Sequence, residues 1–111
     1  MTQRVVVTGI GAISPLGLTP SETWQGLLAG TPGVGTITQF DASAHAVRIA
    51  AEVKGFDPLV YIDRKESRRM DRFAQFAVAI SIQAVEQAKF NIDQVGPDNV
   101  GVLVGSSVGG L

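Results

Sequence analysis

The sequence contains no cysteine. Disulfides, thiolate nucleophiles and thiolate metal ligands are therefore excluded from these residues. It contains a single histidine, His45, so there is no histidine pair for a metal site or a two-histidine catalytic centre. Neither a metal nor a cofactor is expected. Charge is also scarce: 17% of residues are charged, where a soluble chain usually has about 25%. Basic residues number 9 and acidic ones 10, a net charge of −1. No global basic field points to nucleic acid. The apolar runs are far too short for a membrane span. No basic segment leads into a long apolar stretch, so no secretory signal is visible and a cytoplasmic protein is expected.

The chain has 111 residues, the length of one ordinary domain. That length buries roughly two-thirds of the extended surface. Hydrophobic residues make up 45%, and glycine supplies 13 positions. The composition is too apolar for disorder and too poor in charge to cover a small free-standing domain. Such a chain is expected to give much of its surface to a partner or to further sequence. Residues 1–111 read as one unit without a complete second domain.

Val5, Val6 and Val7 form a β-branched run closed by Thr8 and Gly9, the pattern of a strand buried on both faces. A loop follows, from Ile10 to Leu18. Thr19 is a good N-cap, Pro20 suits the first helical position, and Glu22 completes a capping box. Trp24, Leu27 and Leu28 share one face of this helix, and Gly30 is placed to end it. Val47, Ile49, Ala51 and Val53 alternate with polar or small residues, predicting a half-buried strand. Ile37 to Phe40 is its candidate hairpin partner. Asp57-Pro58 opens a turn or short helical piece. The longest helical signal runs from about Arg64 to Lys89, apolar nearly all round from Phe73 onward. A helix of that kind is expected to be buried within a larger body. Val100 to Gly105 reads as another buried strand, followed by a Gly-rich turn. Strand, helix, excursion, helix, strand is an α/β pattern.

Two short motifs invite a chemical reading. Gly9-x-Gly11 after a strand resembles the start of a dinucleotide fingerprint, but Ser14 replaces the third glycine and Pro15 breaks the helix start. A tight turn using glycine's backbone freedom is the better reading. Gly105-x-Ser107-x-Gly109 matches a nucleophile elbow, yet no acid or histidine follows it and His45 precedes it. A strand-to-loop turn is expected instead. His45, between Ala44 and Ala46, reads as a loop or surface residue.

The basic cluster is more informative. Arg64, Lys65, Arg68, Arg69 and Arg72 hold most of the positive charge within nine positions, at helical spacings of three and four. Asp63, Glu66 and Asp71 leave a local excess of about two charges. Positive charge at a helix start opposes the macrodipole, so an acidic partner docking there would offset the cost. A solvated helix start with its own ion pairs is the alternative.

With these segments placed, the sequence resembles the N-terminal part of the β-ketoacyl-acyl carrier protein synthases, most of all the synthase II type. The segments that carry the resemblance are "RVVVTGIGAISPLG", "TWQGLLAGTPGVGTI", "FDPLVYIDRKESRRMDRFAQFAVAISIQAVEQA" and "NVGVLVGSSVGGL", in the family's order over nearly the whole chain. The resemblance implies an incomplete thiolase-like fold, part of the N-terminal half of a layered α-β-α-β-α architecture. It implies a homodimeric parent acyltransferase that condenses acyl groups with malonyl-acyl carrier protein in fatty-acid elongation. The family's nucleophilic Cys and catalytic His residues have no counterpart here, so no catalytic residue is assigned and these residues alone should be inactive. Lys65, Arg68 and Arg69 match the family's carrier-protein docking patch. Val108 matches a position lining its acyl pocket, where Ile is frequent, and Ser107 stands where Gly is common. Polyketide relatives, including the chain-length-factor type, and a non-catalytic piece that only binds carrier protein are the competing readings.

Overall fold

The computed structural model describes residues 2–110, and they form two units. One is Ala12–Asp57; the other joins the residues up to Gly11 with those from Pro58 onward. No helix among the described residues is long and apolar enough to cross a membrane.

In Ala12–Asp57, helix α1 (Pro20–Leu28) begins as the sequence demands. Thr19 is extended, and its hydroxyl accepts the Glu22 N–H at 3.2 Å. Glu22 reaches back in turn, but its carboxylate takes the Leu18 N–H at 2.7 Å. That is one residue ahead of the bond a simple capping box would make. Gly30 ends the helix at φ 65°, with Thr31 N–H bonded to Gly26 O and Gly30 N–H to Leu27 O. This is the Schellman arrangement, which satisfies carbonyls the helix leaves free. Ahead of α1, Ser14 and Gly17 exchange backbone bonds around Pro15 and Leu16, and the Ser14 hydroxyl bonds the Thr23 hydroxyl at 2.8 Å. Trp24, Leu27 and Leu28 remain exposed.

The hairpin exists but is displaced from its expected position. Strand β1 (Gly35–Thr36) pairs antiparallel with β2 (Ile49–Ala50), Gly35 opposite Ala50 and Thr36 opposite Ile49. Ile37 N–H adds a bond to Arg48 O at 2.9 Å. The arm is therefore 35–37, not 37–40. The reason is Glu52: its carboxylate accepts the N–H groups of Thr38 and Gln39 and the Thr38 hydroxyl at 2.9–3.2 Å, withdrawing them from the ladder. The expected inward face is also reversed in part. Val47, Ile49 and Ala51 are exposed while Ala50 and Glu52 are half-buried, because no layer covers that side of the ribbon among the described residues.

The second unit is organised on α3 (Arg72–Ala88). A single 3-10 turn, Pro58–Val60, forms at the expected Asp57-Pro58 and packs on α3, where Gln83 donates to the Tyr61 hydroxyl at 2.9 Å. The helix expected from Arg64 to Lys89 is two helices. α2 (Arg64–Ser67) is one turn, capped by Asp63, and α3 starts afresh after Asp71. The Asp63 side chain caps α2, whereas Asp71 makes no side-chain cap bond to α3. α3 ends in a second Schellman arrangement, with Lys89 left-handed at φ 51° and Phe90 N–H on Val85 O. Asn91 then caps a short α4 (Ile92–Val95), and a 3-10 turn, Pro97–Asn99, follows.

Burial along α3 is partial: no residue from 74 to 80 is exposed, yet most are only half-buried. Ala79 is fully buried, whereas Phe73 and Val85 are exposed. The covered side faces the segment around Gly9 and Gly11. A Cβ on Gly9 would fall on the Ala84 carbonyl, and one on Gly11 on the Ile80 carbonyl. Neither glycine has positive φ. Their role is close approach of one backbone to another, not the turn freedom expected from sequence. Ile10 N–H closes the contact on Gln87 Oε1 at 2.7 Å.

The strands expected at Val5–Thr8 and Val100–Gly105 are not formed as ladders, and they are not buried. Val5 is 91% exposed and Leu103 99%. Val100 has extended backbone, but a strand needs a neighbour's N–H and C=O groups, and β1–β2 is the one sheet among the described residues.

Gly11→Ala should lower stability by about 1–3 kcal/mol, because the added methyl overpacks against the Ile80 backbone. Gly35→Ala meets nothing within 4 Å and should be neutral or stabilising by up to about 1 kcal/mol. Urea unfolding of both variants measures the difference; equal effects would contradict the close approach. Glu52 gives a pH prediction. Partial burial pushes its carboxyl up, but the bonds from Thr38 and Gln39, with help from Lys54, outweigh this and hold it below its ordinary 4.5. A lowered folded value means its stabilisation is present above about 4.5 and fades as pH falls through the folded value. Protection of the Thr38 and Gln39 amides from hydrogen exchange should drop on that acid side, and Glu52→Gln should remove the pH dependence.

Candidate functional site

Asp63 sets the geometry of the basic segment. Its Oδ1 accepts the N–H groups of Lys65 at 2.9 Å and Glu66 at 3.1 Å, which starts α2. After Ser67 the chain turns through Arg68, Arg69 and Met70, held by Arg68 N–H on Arg64 O, Arg69 N–H on Glu66 O and Met70 N–H on Ser67 O. Lys65, Arg68 and Arg69 are all exposed. An Arg69 Nη1 lies 3.7 Å from Glu66 Oε1, a surface pair of small worth. Arg72, the first residue of α3, holds its guanidinium 5.0 Å from the centre of the Phe76 ring. That cation–π contact fixes it against its own helix.

The break between α2 and α3 corrects the electrostatic expectation. Arg68 and Arg69 do not lie at a helix start. They follow the C-terminus of α2, the end at which a helix dipole favours cations. The expected stripe of Arg64, Arg68 and Arg72 on one helix face is likewise not formed, since Arg72 belongs to a different helix. What the arrangement offers is an exposed basic loop between two helices, suited to meeting an acidic surface.

Gln75 carries no signal of a role in its residue type. Its side-chain amide faces Ser67 O at 3.0 Å, Ser67 Oγ at 3.3 Å and Met70 O at 3.4 Å. The sequence signal for the break was present: Asp63 stands three residues before Glu66, and Asp71 two residues before Phe73, where the next apolar run begins. Both are N-cap types in N-cap positions.

Val108 is 64% exposed. Its loop is closed by a bond from Gly109 N–H to the Ser106 hydroxyl at 3.1 Å. Gly109 lies against the Phe73 ring and Gly110 against the Asp71 carboxylate. The loop that carries Val108 thus meets the first turn of α3, directly after the basic segment. Ser107 lacks the strained backbone of a nucleophile elbow: Lys89 is the non-glycine residue with positive φ among the described residues. His45 is exposed, edge-on to Phe40 at 5.7 Å between ring centres, as a loop histidine should be.

Residues 2–111 match the model of the β-ketoacyl synthase N-terminal domain. The chain belongs to the β-ketoacyl synthase family. Relatives of this synthase chain named 3-oxoacyl-[acyl-carrier-protein] synthase 2 are 53% identical in Synechocystis sp., 48% in Coxiella burnetii and 42% in Staphylococcus aureus. Each match covers 98% of this chain and 26% of the relative. The synthase chain therefore spans about a quarter of the length of the curated relatives it matches. A solved structure, "The ishigamide ketosynthase/chain length factor", superposes with a TM-score of 0.73 at 37% identity, over 82% of this chain and 23% of that one. Mixed helix and strand content agrees with a ketosynthase-like fold.

Proposed function

We propose that the chain is the N-terminal quarter of a 3-oxoacyl-[acyl-carrier-protein] synthase, a condensing acyltransferase of fatty-acid elongation. One observation carries this reading: identity of 42–53% over nearly the whole chain to relatives sharing that name. In the reaction, a cysteine sulfur bonds the acyl carbon and the carrier's thiol leaves with the proton. Malonyl-carrier protein then loses CO2, and the electron pair of the broken bond stays on the α-carbon. That carbon attacks the acyl carbonyl and expels the cysteine thiolate. The cysteine and its histidines belong to residues beyond these 111, which hold no Cys and one His. The proposed assembly is a cytoplasmic homodimer with the layered α-β-α-β-α thiolase architecture. The uncovered backbone at Val5–Val7 and Val102–Val104 supports it, since a larger sheet would supply the neighbours.

The contribution of this chain is recognition. Lys65, Arg68 and Arg69 form the docking patch for the acidic carrier protein, and their shared exposure on and after α2 supports that role. Val108 borders the acyl pocket, with the remaining walls supplied by the rest of the enzyme. A polyketide ketosynthase or chain length factor is the second reading, favoured by the superposition on the ishigamide ketosynthase/chain length factor.

The full-length enzyme, given acyl- and malonyl-carrier protein, should form 3-oxoacyl-carrier protein and CO2; failure to condense would favour the chain-length-factor reading. Replacing Lys65, Arg68 and Arg69 together by Ala should weaken carrier binding by roughly 1–3 kcal/mol, from pairs worth about 0.2–1 kcal/mol each. The loss should shrink as salt rises, and reaction with small acyl thioesters should be nearly untouched. Val108→Phe should cost long acyl substrates about tenfold in rate and short ones much less, because the ring fills space only a long chain needs. A chain-length series of acyl substrates measures it; equal losses would remove Val108 from the pocket.

A further inference from the structure

The loop that carries Arg68 and Arg69 lies between two helices that local sequence would fuse into one. Arg64, Lys65, Arg68, Arg69 and Arg72 recur at helical spacing, and none of them is a helix breaker. α2 is a single turn and cannot hold itself. Asp63 secures its N-terminus, but the carbonyls at its C-terminus need donors. Arg68, Arg69 and Met70 N–H groups satisfy three oxygens by turn bonds.

A side-chain donor is added from α3. We propose that Gln75 is a positioning residue for carrier-protein docking, acting through the loop that presents Arg68 and Arg69. Its amide nitrogen is shared among Ser67 O, Ser67 Oγ and Met70 O at 3.0, 3.3 and 3.4 Å. Two of these oxygens are carbonyls, which only accept, so the group facing them must be the amide N–H2. Ser67 is buried, so its hydroxyl and carbonyl are shielded from water, while Met70 is half-buried. Gln75 lies on the first turn of α3, and its bonds tie both ends of the break to that turn. Without them the 67–70 loop loses its side-chain tie to α3, and with it the fixed backbone that presents Arg68 and Arg69. The inference rests on the docking role of Lys65, Arg68 and Arg69.

The test uses the full-length enzyme and Gln75→Leu, similar in size but without a donor. KM for carrier-bound substrate should rise about fivefold, the worth of one or two aligned surface ion pairs. The maximal rate, and the reaction with carrier-free thioesters, should be retained, and the salt sensitivity of KM should fall. Gln75→Glu serves as a second variant. Ionised, it offers only acceptors to the two carbonyls, so its KM relative to the unaltered enzyme should improve as pH falls and the carboxyl regains a proton. Loss of rate with both substrates alike in both variants would make Gln75 merely structural and overturn the proposal, as would an unchanged carrier KM. The Lys65/Arg68/Arg69 triple-alanine enzyme, assayed in parallel, separates the two readings. A raised carrier KM there with none in the Gln75 variants overturns only the positioning role. No change in the triple variant overturns the docking reading, and this one with it.

Discussion

The unit built on α3 depends on a backbone lying directly on a helix. The segment around Gly9 and Gly11 runs so close to α3 that a single methyl at either glycine would meet the carbonyl of Ala84 or Ile80. Such a contact needs small residues on both sides, and α3 supplies Ala84 and Ala88 where the segment crosses it. The pairing leaves no room for side chains, so its stability comes from dispersion between tightly apposed atoms and from the bond of Ile10 N–H to Gln87. It covers one side of α3. Phe73 and Val85 on that helix stay open.

The second decision made on α3 is where it begins. A helix running through the basic cluster would align Arg64, Arg68 and Arg72. Instead Asp63 caps a one-turn helix, Gln75 bonds the turn that follows it, and α3 begins anew after Asp71. The result is that Arg68 and Arg69 sit on a loop, beyond a helix C-terminus, and Arg72 folds back on Phe76. Arg68 and Arg69 thereby become compatible with the dipole of α2, while Arg64, Lys65 and Arg72 remain at helix starts. An exposed basic loop of this kind attracts an acidic surface by long-range steering.

Low charge and abundant apolar residues have a direct structural expression. The valines at 5–7 and the residues 102–104 present extended, uncovered apolar surface. Isolated strands of that kind are association sites, because their N–H and C=O groups seek another ladder. The relatives it matches are roughly four times as long, and apolar surface of this extent is of the kind a larger sheet covers.

The sequence by itself determined the features whose causes lie within a few residues. Thr19, Pro20 and Glu22 start α1, Gly30 ends it, and Asp57-Pro58 opens a helical turn, each by bonds spanning four or five positions. The order of its segments also carried the family resemblance. Tertiary structure alone decided the rest. The hairpin register moved because Glu52 captures Thr38 and Gln39 from thirteen and fourteen residues away. Gly9 and Gly11 acquired their purpose from a helix more than sixty residues later. The break at 68–71 was written locally in Asp63 and Asp71, but its closure came from Gln75, whose residue type gives no sign of the role. Periodicity reports which faces are apolar; it does not report which backbone will arrive to cover them. That depends on partners distant in the chain, and only the fold brings them together.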